Sequence, residues 1–130
     1  MKRWWLIRSD YNKYSIDLEV KFKPLEIIDI STLIANSLKK WQNLSLCNVN
    51  DSVVRLAVIE GEFHWHKHEK EDEFFFVIEG ELLLDLDDKT VKLKPNQGFT
   101  VPMGIKHRTR APTRTSVLLI EKKTIIPTGD

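Results

Sequence analysis

A chain of 130 residues is the size of one ordinary domain, and 42% hydrophobic against 30% charged residues excludes a disordered, collagen-like or coiled-coil protein. Twenty Lys plus Arg against nineteen Asp plus Glu leave a formal net charge of +1, so no long-range field selects nucleic acid or a membrane surface, and a small-molecule ligand is the expected partner. Cys47 is the only cysteine, which excludes an intramolecular disulfide and is read as a small buried apolar residue. No apolar run approaches the ~18 residues of a membrane span. The run Trp4-Trp5-Leu6-Ile7 behind a basic start is too short for a signal peptide, so the expected location is cytoplasmic.

In chain order, residues 15–23 alternate strictly, with Ile16, Leu18, Val20 and Phe22 on one side and charged residues on the other, predicting a half-buried strand closed by Pro24. Ile30, Leu33, Ile34, Leu38 and Trp41 recur at helical spacing behind the caps Asp29 and Ser31, predicting one helix over 29–42. After Asn50 the texture changes to short β-rich runs at 52–60, 63–68, 74–79, 81–87, 90–94, 99–101, 107–110 and 116–121, with hairpin turns at Asp87-Asp88-Lys89 and Pro95-Asn96. Neither repeats nor linkers divide the chain. The pattern predicts an all-β jelly-roll barrel over 51–130, with residues 1–50 as a strand and short helix packed on it in one structural domain.

Three of the four histidines, His64, His66 and His68, fall within five residues. Side chains at i and i+2 of a strand lie on one face, so His66 and His68 converge as two ligands of one metal must. A polar turn at residues 69–72 brings Glu73 back beside them, and Gly80 ends the following strand where a bend needs positive φ or close backbone approach. Downstream, Pro102-Met103-Gly104 delivers His107 to the start of another strand, as a barrel brings a fourth ligand across its interior. Three imidazoles and a carboxylate suit one divalent transition metal, Fe, Mn, Ni, Co, Cu or Zn, with affinity order unable to choose among them.

The stretch His66-x-His68-x4-Glu73-x6-Gly80 resembles the first motif of the cupin superfamily, and Pro102-x-Gly104-x2-His107 resembles the second. The resemblance spans roughly residues 53–121 and is closest in kind to small single-domain cupins described as mannose-6-phosphate isomerase-like. It implies a double-stranded β-helix in which His66, His68, Glu73 and His107 ligate the metal, and it implies a homodimer. Departures fall outside the ligands: Glu60 stands where the first motif opens with Gly, Asn96 replaces the opening Gly of the second, and Ala111 stands where an Asn often follows.

His64 shares the parity of the ligands and is a candidate acid or base beside Glu73, the alternative being a satisfied histidine at the barrel rim. Arg55, in an otherwise apolar run, is the candidate substrate-binding cation, or else an exposed edge residue. Asp72, Arg108 and Arg110 have outward parity, the two arginines toward solvent or a neighbouring subunit. Residues 15–23 and Trp4 to Ile7 carry more apolar surface than a peripheral extension shows to water, which predicts their burial across a two-fold interface. The expected function is oxygenase or isomerase chemistry on a small molecule that chelates the metal. A non-catalytic binding or sensing module is the alternative from another class.

Overall fold

Alternating and short apolar runs place about half of the described residues in strands. The computed structural model describes residues 14–130, so the Trp4 to Ile7 patch lies outside the described residues. These form β1 (Ser15–Asp17), α1 (Ile30–Asn36), β2 (Trp41–Val49), β3 (Ser52–Glu62), β4 (Glu73–Glu79), β5 (Leu82–Asp85), β6 (Thr90–Leu93), β7 (Gly98–Val101) and β8 (Arg108–Lys122). Strands follow the order β1-β2-β3-β8-β4-β7, with β5 paired to β8 and β6 to β5. The long β8 pairs β3 along most of its length, β5 through its first residues and β4 through its last, so one strand ties the two ends of an all-β jelly roll together. No helix among the described residues is long and apolar enough to cross a membrane.

Several boundaries differ from the sequence expectation. Helix α1 stops at Asn36, where Ser37 turns the chain by donating from its hydroxyl to the Leu33 carbonyl. Arg114 ties down the end through the Ser37 and Lys39 carbonyls. Trp41, expected on the helix, instead opens β2, because its ring is buried in the barrel, stacked on Phe63 at 5.5 Å and edge-on to Tyr14 at 5.2 Å. The strand predicted over 15–23 is regular only as β1, which pairs parallel with β2 of its own chain. The chain leaves the ladder near Leu18, which is exposed, and returns where the Lys21 and Phe22 amides donate to Ser45 and Leu46. Ile16 therefore packs inside the barrel and Phe22 on its outer face, although strict alternation put them together. Cys47 is half-buried, beside a bulge in β2.

Residues 107–110 and 116–121, read as two strands, fall on the single β8 except for His107, which lies just before it, and Pro112 is exposed near a register shift opposite Gly61. Pro95-Asn96 makes a turn but not a hairpin, since β6 pairs β5 while β7 pairs β4. Asn96 adopts the left-handed region there at φ 69°. Gly80 has φ +88°, and a Cβ there would lie 2.5 Å from the Thr115 hydroxyl, so both reasons for a glycine hold.

Strand β3 is buried on both sides, which explains its nearly continuous apolar run. Ala57 and Ile59 join the barrel core with Phe75, Val77, Val117 and Leu119, while Leu56 and Val58 meet Leu33, Ile34 and Phe22 outside. The helix thus covers the outer face of the sheet that carries the interior residues. Elsewhere on the barrel, Asp85 is buried and accepts from Thr90 at 2.7 Å, from Arg108 Nε at 2.7 Å and from two nitrogens of Arg110 at 2.5 and 2.8 Å. Both arginines do leave the barrel outward, yet β5 lies beside them, so they clamp Asp85 instead of ending in water.

The Arg110 fork, with Thr90 and Arg108, holds the Asp85 carboxyl well below the usual carboxylate range against the opposing effect of burial. A depressed folded value contributes stability that is complete above the ordinary aspartate range and lost as pH falls through the folded value. Asp85→Asn is expected to cost on the order of 2 kcal/mol at neutral pH, the scale of a hydrogen-bonded charge. The difference in Tm from the wild type should narrow below about pH 4. Melting curves from pH 7 to 2 check this.

Candidate metal centre

The histidine segment is not a regular strand; among the described residues it forms an isolated bridge in which His66 and His107 exchange both backbone hydrogen bonds, at 2.9 and 2.8 Å. That exchange sets two rings from distant parts of the chain 4.5 Å apart. The Pro102–Gly104 turn docks on the same segment, the Gly104 amide donating to the His68 carbonyl at 2.7 Å, and Gly104 takes φ +82° to do so. Residues 69–72 reverse the chain so that β4 begins with Glu73 facing inward. Ligand atoms of His66, His68, Glu73 and His107 all lie within 4.8 Å of one another. His68, Glu73 and His107 are buried and His66 is half-buried.

Hydrogen bonds decide which nitrogens point to that centre. The Nδ1–H of His66 donates to the His64 carbonyl at 3.0 Å and that of His107 to the Ile105 carbonyl at 2.9 Å. A carbonyl can only accept, so each neutral ring keeps its lone pair on Nε2. Nε2 of His107 lies 3.2 Å and that of His68 3.5 Å from the same Glu73 oxygen, Oε1. A lone pair facing a carboxylate oxygen needs a positive centre between them, either a proton or a metal. Both nitrogens of buried His68 also lack a hydrogen-bond partner. The donor set therefore fits a divalent transition metal.

The charge states agree. Burial, with the neighbouring histidines adding, pushes His66 down to about 4, against the backbone bond to His64, so it is neutral at physiological pH. Burial would raise Glu73, but the bond to His107 and the closeness of His68 and Glu121 outweigh it and hold the carboxyl well below its ordinary range. For His107, burial opposes a larger upward effect of Glu73 and the Ile105 carbonyl.

The cupin domain profile matches residues 52–121. The chain is a cupin. It is 51% identical over 92 residues to the uncharacterized protein YdbB of Bacillus subtilis (strain 168), covering 69% of this chain and 81% of that one. A cupin-2 domain protein of Shewanella frigidimarina superposes with a TM-score of 0.71 at 28% identity, over 74% of this chain and 94% of its own. The protein NMB1881 of Neisseria meningitidis gives 0.67 at 26%, over 75% and 99%.

The other residues singled out by sequence occupy different positions in this cupin. His64 extends the row of rings, 5.4 Å from His66, but stacks on Phe63, donates from Nε2 to the Thr128 carbonyl at 2.7 Å and does not line the cavity. It is a rim histidine held by residues 127–130, which also lay Gly129 on His66 and bond Asp130 to the Glu69 and Lys67 backbone. Trp65 faces outward, under Arg108 at 5.4 Å. Asp72 is exposed and accepts from the Met103 amide.

Arg55 is neither an exposed edge residue nor a lining residue of the cavity. It is buried and points inward, with Nε 3.0 Å from Glu121 Oε2. Glu121, which sequence reasoning passed over, stands directly across from Glu73 in the β4–β8 register. Burial, then the charge of Glu73, pushes it well above the usual carboxylate range. Its inward parity with Val117 and Leu119 was the available signal. The cavity beside the histidines has a volume of about 40 Å³ and walls that include Trp41, Ile59, Phe63, Phe75 and Leu119, with Asn43, Thr109 and Glu121 as polar atoms.

His66→Ala combined with His68→Ala is expected to abolish metal retention while leaving the fold intact, because apolar packing holds the barrel. His64→Ala is expected to keep its metal. Elemental analysis after dialysis, with circular dichroism for the fold, checks both. Metal must also displace any proton from His107, so affinity should fall as pH drops from 8 to 6, by calorimetric titration.

Proposed function

We propose that this cupin holds one divalent transition metal on His66, His68, Glu73 and His107 and acts on a small molecule that completes the metal's shell. The observation that carries the reading is the convergence of four donors within 4.8 Å, one of them a buried histidine with no other partner. Bound there, such a metal would supply Lewis-acid activation of a chelating substrate or, where it is redox-active, oxygen chemistry. The chain's own part is to fix the Nε2 atoms of His66 and His107 through the His64 and Ile105 carbonyls, to keep Glu73 ionised, and to exclude water with Phe63, Phe75 and Leu119.

Oxygenase chemistry is favoured over a phosphosugar isomerase. A phosphate would call for inward cations, and no Lys or Arg lines the cavity among the described residues, since Arg55 is turned to Glu121. His64, the candidate proton carrier of an isomerase, is held at the rim. At about 40 Å³ the cavity is well below the ~150 Å³ that receives a benzene ring, so a small apolar part of the substrate enters.

Elemental analysis of the purified protein is expected to find about one equivalent of transition metal, and a protein that neither carries nor takes up metal would overturn the proposal. An oxygen electrode with a panel of small chelating acids, diketones and thiols is expected to show consumption in the metal-loaded form. Tight binding without turnover would establish the binding module instead. The proposal includes a cytoplasmic location and a two-fold dimer; Ile16 and Phe22, expected across the interface, pack on the chain's own barrel, and the exposed Leu18, Leu25, Ile27 and Leu38 support the dimer instead. Sedimentation at micromolar concentration is expected to give the dimer mass, and a monomer would refute that part.

A further inference from the structure

Three buried side chains make a line toward the metal centre that the proposed chemistry does not use. Glu121 on β8 is the direct cross-strand partner of Glu73, and Arg55 on the neighbouring β3 lies one inward position along from Val53, the residue facing Glu121. Side-chain exposures are 4% for Arg55, 1% for Glu121 and 9% for Glu73, so none of the three is solvated. Glu121 faces Glu73 across the β4–β8 pair and is paired with Arg55 at 3.0 Å.

The pair is poorly satisfied as a structural element. Neither Nε nor Nη1 of Arg55 makes a well-directed hydrogen bond, and Oε1 of Glu121 has no partner. Desolvated groups left in this way cost free energy, and replacing a buried ion pair by apolar side chains of similar volume is often neutral or stabilising. The walls around it are suited to such a replacement, since Val53 and Leu119 already share this face. What an aliphatic pair would lack is any hold on the Glu73 carboxylate. Glu73 shows Oε1 to His68 and His107, and a carboxylate free to rotate about its terminal bond would present either oxygen.

We infer that Arg55 and Glu121 form a positioning pair, Arg55 fixing Glu121 and Glu121 fixing the Glu73 carboxylate, so that the pair sets the metal affinity of the site. This rests on the metal-binding reading above. Outer partners of this kind are worth roughly 10- to 100-fold in affinity. Glutamine at position 121 can donate its amide to Glu73 and accept from Arg55, so it substitutes for the glutamate, whereas aspartate withdraws the group from Glu73 by one methylene.

The test is cobalt(II) titration against a chelator, with thermal melting as the control for folding. Arg55→Met combined with Glu121→Leu should melt at or above the wild-type temperature yet bind cobalt about 10- to 100-fold more weakly. Glu121→Gln should bind close to wild type and keep the visible cobalt spectrum, and Glu121→Asp should bind more weakly with an altered spectrum. Wild-type affinity in the folded double variant would overturn the inference while leaving the metal site standing. Should the double variant not fold, equal affinity and spectra for the Gln and Asp variants would overturn it. No cobalt binding by the wild type would remove the site and the inference together.

Discussion

A carboxylate buried at Glu73 is the constraint around which this barrel is arranged. An ionised group at 9% side-chain exposure survives only where donors and cations surround it, and each of its neighbours comes from a different part of the chain. His68 arrives from the segment after β3, His107 from the turn before β8, and Glu121 from the end of β8 with Arg55 of β3 behind it. Three strands must keep one register for those groups to meet. A one-residue slip of β8 against β4 would turn Glu121 outward and set Glu73 opposite Ile120 or Lys122.

That register is held on both faces of the sheet. Inside, Ala57, Val77, Val117 and Leu119 interlock between β3, β8 and β4; outside, Leu56, Val58 and Leu118 are roofed by α1 and Phe22. Helix α1 touches no ligand, yet it covers the strand that carries Arg55. The Asp85 clamp does similar work at the other end of β8, joining β5 to the residues that follow His107. The site is thus supported by regular strands, while the candidate ligands His66 and His68 themselves sit on an irregular segment fixed by the reciprocal bonds between His66 and His107.

The internal use of Arg55 also shapes the chemistry. Once the inward cation is committed to Glu121, the cavity is left with carboxyl, amide, hydroxyl and imidazole groups set in aromatic and aliphatic walls. Among the described residues no Lys or Arg stands in those walls to offset a buried charge. The Gly129 backbone against His66 and the Thr128 carbonyl on His64 narrow the approach further.

The sequence by itself determined the fold class and the four candidate ligands, because both depend on local patterns: short β-rich runs between turn residues, histidines two positions apart, and a Pro-x-Gly turn with a histidine behind it. It offered the inner face for Arg55 as one of two readings, the other being an exposed edge. What it could not determine was what Arg55 meets there, since Glu121 lies 66 positions later and only the β3–β8–β4 register brings Arg55, Glu121 and Glu73 together. The same holds for β2, where helical spacing continued through Leu38 and Trp41 although a strand formed. The spacing of apolar residues reports which side of an element is buried, but burial of Trp41 against Phe63 and Tyr14 is a long-range contact, and its gain outweighs a local helical preference worth only tenths of a kcal/mol per residue.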